Sequence, residues 1–133
     1  EGSELWLDGG HNAAAGHAIA VALADLEERV SRPLILVVGM LATKDVESFL
    51  QNFTGLARRV IAVPISQQEK GRPPEAIADA ARRVGIPADA RNSVPEALAR
   101  IAQLHLEPAP RVLITGSLYL AGEVLAANGT PPV

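Results

Sequence analysis

Cysteine is absent from all 133 residues, so neither a disulfide framework nor a thiolate metal site is available and a reducing cytoplasm is compatible. Aromatic residues are scarce: one Trp, one Tyr and two Phe stand within a chain that is 48% hydrophobic. The core is therefore built from Ala, Val, Leu and Ile, which suits a parallel sheet covered by helices better than an all-β sandwich. No basic excess exists either, since 12 Lys and Arg face 15 Asp and Glu for a net charge of -3. Arg58/Arg59 and Arg82/Arg83 are isolated pairs rather than a stripe, so nucleic acid is not an expected partner. No apolar run approaches the roughly 20 residues that span a membrane, and no basic segment followed by a hydrophobic one opens the chain. The expectation is a soluble, cytoplasmic protein whose residues 1–133 form one domain.

Two further absences concern phosphate binding. The chain contains no G-x-x-x-x-G-K-S/T loop, and no G-x-G-x-x-G follows its first strand. A nucleotide bound here needs another domain, or is held through turns and helix ends. The missing glycine spacing also argues against an NAD-dependent oxidoreductase.

What is present is an apolar pattern that changes period repeatedly, from short continuous runs to helical spacing and back, the mark of βα units. Glu4 to Leu7 reads as a short strand, followed by a helix with Ala15, Ala18, Ile19, Ala22, Leu23, Leu26 and Val30 on its apolar face. Leu34 to Val38 is apolar throughout and reads as a central strand; the next helix presents Val46, Phe49, Leu50 and Phe53. Arg59 to Val63 forms a third strand, and a helix opening at Pro73 and Pro74 stops at Gly85. Ala88 to Arg91 reads as an edge strand, and Ser93 with Glu96 forms a capping box that starts the fourth helix. Arg111 to Thr115 is the last strand, and Leu118 to Ala127 a final helix. The class is α/β, a mainly parallel sheet with helices on both faces in three layers.

Such sheets bind ligands at the carboxyl ends of their strands. There, the turn Leu7-Asp8-Gly9-Gly10-His11-Asn12 sets a carboxylate at a strand end, two glycines in a tight turn, and a cap residue on a helix whose free N–H groups face an anion. Asp8 suits ribose hydroxyls or a metal-bound water, and His11 a phosphate or carboxylate. Asp8 and Asn12 read equally well as turn and cap residues, and His11 as a solvated loop side chain. Lys44 supplies a cation just before the second helix, although a loop lysine is ordinarily a solvated charge. Ser117 follows the last strand, where a plain N-cap also explains it. The convergence of three polar turns on one sheet edge weighs more than any one of them. His17 and His105 have no partner at a metal-ligand spacing, and Trp6 and Met40 read as packing residues.

The first turn resembles the L-D-x-A-H-N segment of folylpolyglutamate and dihydrofolate synthases. Gly39-Met40-Leu41-Ala42-Thr43-Lys44-Asp45 is similar to that family's G-x-L-x-D-K-D turn, and Thr115-Gly116-Ser117-Leu118-Tyr119 resembles its G-S-L-Y segment. Three departures stand out: Ala13 replaces the usual Pro, Gly10 the usual Ala, and Thr43 the usual Asp. The family belongs to the Mur ligases, which join a carboxylate to an amino acid with ATP and magnesium. The resemblance implies a Rossmann-like C-terminal domain that closes over a covalently linked N-terminal P-loop domain, which binds folate and holds most of the Mg2+. It implies that Asp8 and Asn12 contact ATP, that His11 lines the cleft as a catalytic residue, and that Lys44 and Ser117 hold L-glutamate. The implied acceptor is dihydropteroate or a reduced folate. A stand-alone nucleotide- or anion-binding regulatory module is the alternative reading.

Overall fold

The computed structural model describes residues 4–7, 12–40, 45–65 and 73–115. In chain order the elements are β1 (Glu4–Leu7), α1 (Ala13–Arg29), β2 (Leu34–Val38), α2 (Val46–Gln51), β3 (Arg59–Ala62), α3 (Pro74–Arg83), β4 (Ala88–Ala90), α4 (Val94–Gln103) and β5 (Arg111–Thr115). The helix expected over Leu118 to Ala127 lies outside the described residues.

The five strands form one sheet in the order β1-β5-β2-β3-β4, and every pairing is parallel. The chain steps from β2 to β3 to β4, then returns across the sheet to insert β5 between β1 and β2. Alternation along the strands divides the side chains between two faces. Leu34, Leu36, Val38, Val60, Ala62 and Leu113 point to the side carrying α1, α2 and α3. Ile35, Val37, Ile61, Val63, Val112 and Ile114 meet Ala97 and Ile101 of α4 on the other. The α/β expectation, with helices on both faces, holds. All five residues of β2 are buried, as a central parallel strand requires, and β4 lies at the edge.

Local chemistry explains the ends of the helices. Ser93 caps α4 by accepting from the Glu96 N–H at 3.2 Å, and Gly85 closes α3 with a φ of 87°, a conformation that an L side chain resists. β3 and β4 each end one residue earlier than the sequence suggests. Val63 and Arg91 nevertheless donate to Val38 and Ala62 across the sheet at 2.9 and 2.8 Å.

The burial of α1 departs from expectation. Gly16, Ala20 and Leu23 are its buried residues, whereas Ala18, Ala22 and Val30 are exposed. The cause is Gly16, which lets the backbone of α1 come against Phe49 and rolls the helix toward α2. Trp6 and Met40 were expected to pack; Met40 is fully buried, but Trp6 remains 42% exposed beside Ala18 and Ala22. At the amino edge, Glu27 in the last turn of α1 accepts from Ser31 Oγ at 2.7 Å and from the Arg32 N–H at 2.9 Å. It also lies 3.8 Å from the guanidinium of Arg111, which is only 2% exposed. No helix among the described residues is long and apolar enough to cross a membrane.

Candidate functional site at the carboxyl edge of the sheet

The strand order sets the carboxyl ends of β1, β5 and β2 side by side. Leu7 is in register with Ile114, Ile114 with Val37, and Thr115 with Val38. Adjacent strands are about 4.8 Å apart, so three neighbouring strand ends span on the order of 10 Å, the scale of a small ligand. Asp8 follows Leu7 directly, Ser117 comes two residues after Thr115, and Lys44 six after Val38. The three turns singled out in the sequence thus leave from three neighbouring strands. Past the end of β2, the Gly39 N–H donates to the Thr115 carbonyl at 3.3 Å, and Thr115 and Met40 are buried, so the rim itself is fixed.

Asn12 is the one expected site residue within the described residues. Its extended backbone precedes Ala13, and its Oδ1 accepts from the Ala15 N–H at 2.8 Å, so it caps α1. The side chain is exposed. No acidic residue stands in the first turn of this 17-residue helix, so none of its own first-turn side chains cancels the positive end of the helix dipole. An anion such as a nucleotide phosphate fits that environment. Asp8, His11, Lys44 and Ser117 lie outside the described residues.

Directly after the Lys44 turn, Asp45 caps α2. Its Oδ1 accepts from the Ser48 N–H at 3.1 Å and its Oδ2 from the Ser48 hydroxyl at 2.6 Å. The Asp-x-x-Ser spacing ahead of an apolar run was a legible cap signal that the sequence reading did not use. Glu47, in the first turn of α2, is bound by Arg83 of α3 at 3.0 Å, which offsets its charge near the rim.

A further polar residue, Asn52, has no sequence signal beyond its place after a helix. Its Nδ2 lies 3.1 Å from the Ala13 carbonyl in the first turn of α1, and 3.3 and 3.1 Å from the carbonyls of Ser48 and Phe49. The two helices that follow the first two turns are therefore tied to each other. Among the described residues, no group of three or more His, Asp or Glu side chains is placed to hold a metal ion.

A three-layer parallel α/β domain in which three turns leave neighbouring strand ends beside a capped helix is of the open-sheet class that binds ligands at the carboxyl edge. Residues 1–127 match the family described as dihydrofolate synthetase, C-terminal domain, and the chain belongs to that family. It is 32% identical over 118 residues to the folylpolyglutamate synthase of Lacticaseibacillus casei, covering 89% of this chain and 25% of that protein. The folylpolyglutamate synthase of Mycobacterium tuberculosis, solved in complex with ADP and AMPPCP, superposes with a TM-score of 0.79 over 97% of this chain at 24% identity. The bifunctional folylpolyglutamate synthase/dihydrofolate synthase of Yersinia pestis, complexed with AMPPNP and a Mn ion, gives 0.77 over 94% at 23% identity. The chain spans 30% and 28% of those two structures and a quarter of the Lacticaseibacillus protein.

Proposed function

We propose that this chain acts as the C-terminal domain of an ATP-dependent ligase that adds L-glutamate to dihydropteroate, to reduced folates, or to both. The observation that carries the reading is the adjacency of β1, β5 and β2, from whose carboxyl ends all three family-like turns depart. The nucleotides and the Mn ion named for the solved relatives support ATP and a divalent metal as its cofactors. A covalently linked N-terminal P-loop domain supplies the phosphate cradle and most of the Mg2+ coordination. The working compartment is the cytoplasm.

In this reading the acceptor's carboxylate oxygen attacks the γ-phosphorus of ATP, and ADP leaves. The glutamate amine then attacks the acyl carbon, inorganic phosphate departs, and the amine loses a proton as the amide forms. Asp8 and Asn12 orient ATP, with the first turn of α1 directed at its phosphates. Lys44 and Ser117 hold the glutamate carboxylates, and His11 lines the cleft between phosphate and glutamate. The domain works by orientation and fixed charge, and closure onto its partner excludes water.

The test is glutamate-dependent ADP release by the protein carrying its N-terminal part, with dihydropteroate and a reduced folate as alternative acceptors. Lys44→Ala raises the glutamate KM by about 10- to 100-fold, the worth of a charge-assisted contact. Asp8→Ala acts on the ATP KM instead. Wild-type kinetics in both variants would sink the site assignment, and inactivity of the wild type with both acceptors would sink the ligase reading.

A further inference from the structure

Asn52 follows the last residue of α2, where an amide side chain commonly closes its own helix, and its contacts with Ser48 and Phe49 do that. The contact with Ala13 does something else. Ala13 is the first residue of α1, and its carbonyl already has an acceptor role in the i to i+4 ladder, so the Asn52 bond relieves no orphaned group. What the bond adds is a fixed distance between two helices.

Gly16 shows that this approach is built into the packing. A Cβ there would stand 2.7 Å from Asn52 Nδ2, 3.0 Å from Phe49 Cδ1 and 3.1 Å from the Phe49 carbonyl oxygen. Contacts that short force a neighbour to move, and Phe49 is fully buried in the core. The absence of a side chain at Gly16 is what lets Asn52 reach Ala13. Asn52 thus bridges Ala13, next to the cap Asn12 of α1, and Ser48, whose hydroxyl donates to Asp45, the cap of α2.

We propose that Asn52 is a positioning residue, which through Ala13 fixes the first turn of α1 against the short helix α2 and so sets the spacing of the two turns that precede these helices. For catalysis this rests on the ligase reading above, in which the first turn serves ATP and the second glutamate. Each substrate binds its own turn, so loosening the latch leaves both KM values nearly intact. It lowers the rate at which correctly juxtaposed reactants form product. A lesion in a direct contact does the reverse and raises KM.

The experiment compares Asn52→Leu, similar in volume but without the amide, with Thr54→Val in the protein carrying its N-terminal part. Thr54 donates to the Val84 carbonyl at 2.9 Å, so its loss weakens the tie between the segment after α2 and the end of α3 without touching α1. Asn52→Leu should lower kcat on the order of tenfold with both KM values within about twofold, because small misplacements of reacting groups are costly. Thr54→Val, assayed well below its melting temperature, should keep the wild-type kcat. A second measurement needs no activity: hydrogen exchange at the Ala15 amide, capped by Asn12, should accelerate on the order of tenfold in Asn52→Leu and stay unchanged in Thr54→Val. Unaltered kcat in Asn52→Leu, or equal losses in both variants, would overturn the proposal. If the wild type shows no ligase activity, the ligase reading falls, and unchanged Ala15 exchange in Asn52→Leu would then overturn the latch by itself.

Discussion

Replacing Glu27 should expose how much of the domain's stability rests on the edge of the sheet opposite the candidate site. Alanine at this position leaves the Arg32 N–H without its 2.9 Å acceptor and removes the carboxylate beside Arg111, a cation that is 98% withdrawn from solvent. Breaking a fully buried ion pair costs about 3 to 5 kcal/mol. The Glu27 side chain is 40% exposed and Arg111 keeps a 3.3 Å bond to the Val30 carbonyl, so water and that carbonyl absorb part of the loss. We expect about 2 kcal/mol for Glu27→Ala, a fall in Tm of about 7 °C for a domain of this size. Glu27→Gln, which keeps an acceptor but no charge, should cost about half as much. The pH dependence has a definite sign. The Ser31 hydroxyl first, then the Arg32 N–H, with Arg111 and Arg58 adding, hold the Glu27 carboxyl below its ordinary value of 4.5 against the opposing effect of burial. Its charge therefore stabilises the fold above the unfolded-state value and stops doing so as pH falls through the lower folded-state value. In urea unfolding followed by circular dichroism, the gap between wild type and Glu27→Gln should be widest at about pH 7 and close below about pH 4.5. A gap that ignores pH, or one below about 0.5 kcal/mol at neutral pH, would refute the assignment.

Asp89 on β4 accepts from Arg59 of β3 and from Arg100 of α4, both at 3.1 Å and all three side chains about a quarter exposed. Asp89→Ala should cost about 1 to 2 kcal/mol, and the difference from wild type should shrink in about 1 M NaCl, where charges are screened within about 3 Å. Equal differences at low and high salt would mean that packing rather than charge holds the three elements. Phe49 is fully buried and meets Phe53 with ring centroids 5.5 Å apart. Phe49→Ala should remove about 3 to 5 kcal/mol, enough to unfold much of a domain whose total stability is about 5 to 15 kcal/mol. Near-native denaturation midpoints for that variant would contradict the packing of α2 described above.

The sequence announced every strand to within one residue because the deciding forces are local. A fully apolar run such as Leu34 to Val38 has nowhere to go but the middle of a parallel sheet, and Ser93 with Glu96 marks a helix start through a bond three residues long. The order of the strands was not legible in that way. Nothing in Arg111 to Thr115 says that it pairs with both Glu4–Leu7 and Leu34–Val38. The roll of α1 was missed for a related reason: Gly16 has no hydrophobicity to register in a periodicity, yet its missing side chain decides which stripe is buried.

The same division runs through the candidate site. Asp8, His11, Asn12, Lys44 and Ser117 could be singled out because ligand-facing chemistry gathers in short turns at strand ends, and the capping role of Asn12 appears as its position suggested. Asn52 and Glu27 could not, because each acts across 39 to 84 residues of chain, on Ala13 and on Arg111 respectively. Residues in turns announce themselves through unusual composition, whereas residues that bridge elements far apart in the chain look ordinary in sequence. If Asn52 sets the rate as proposed, further determinants in this chain are to be sought among polar side chains bridging α1 and α2 rather than among further polar residues in the turns themselves.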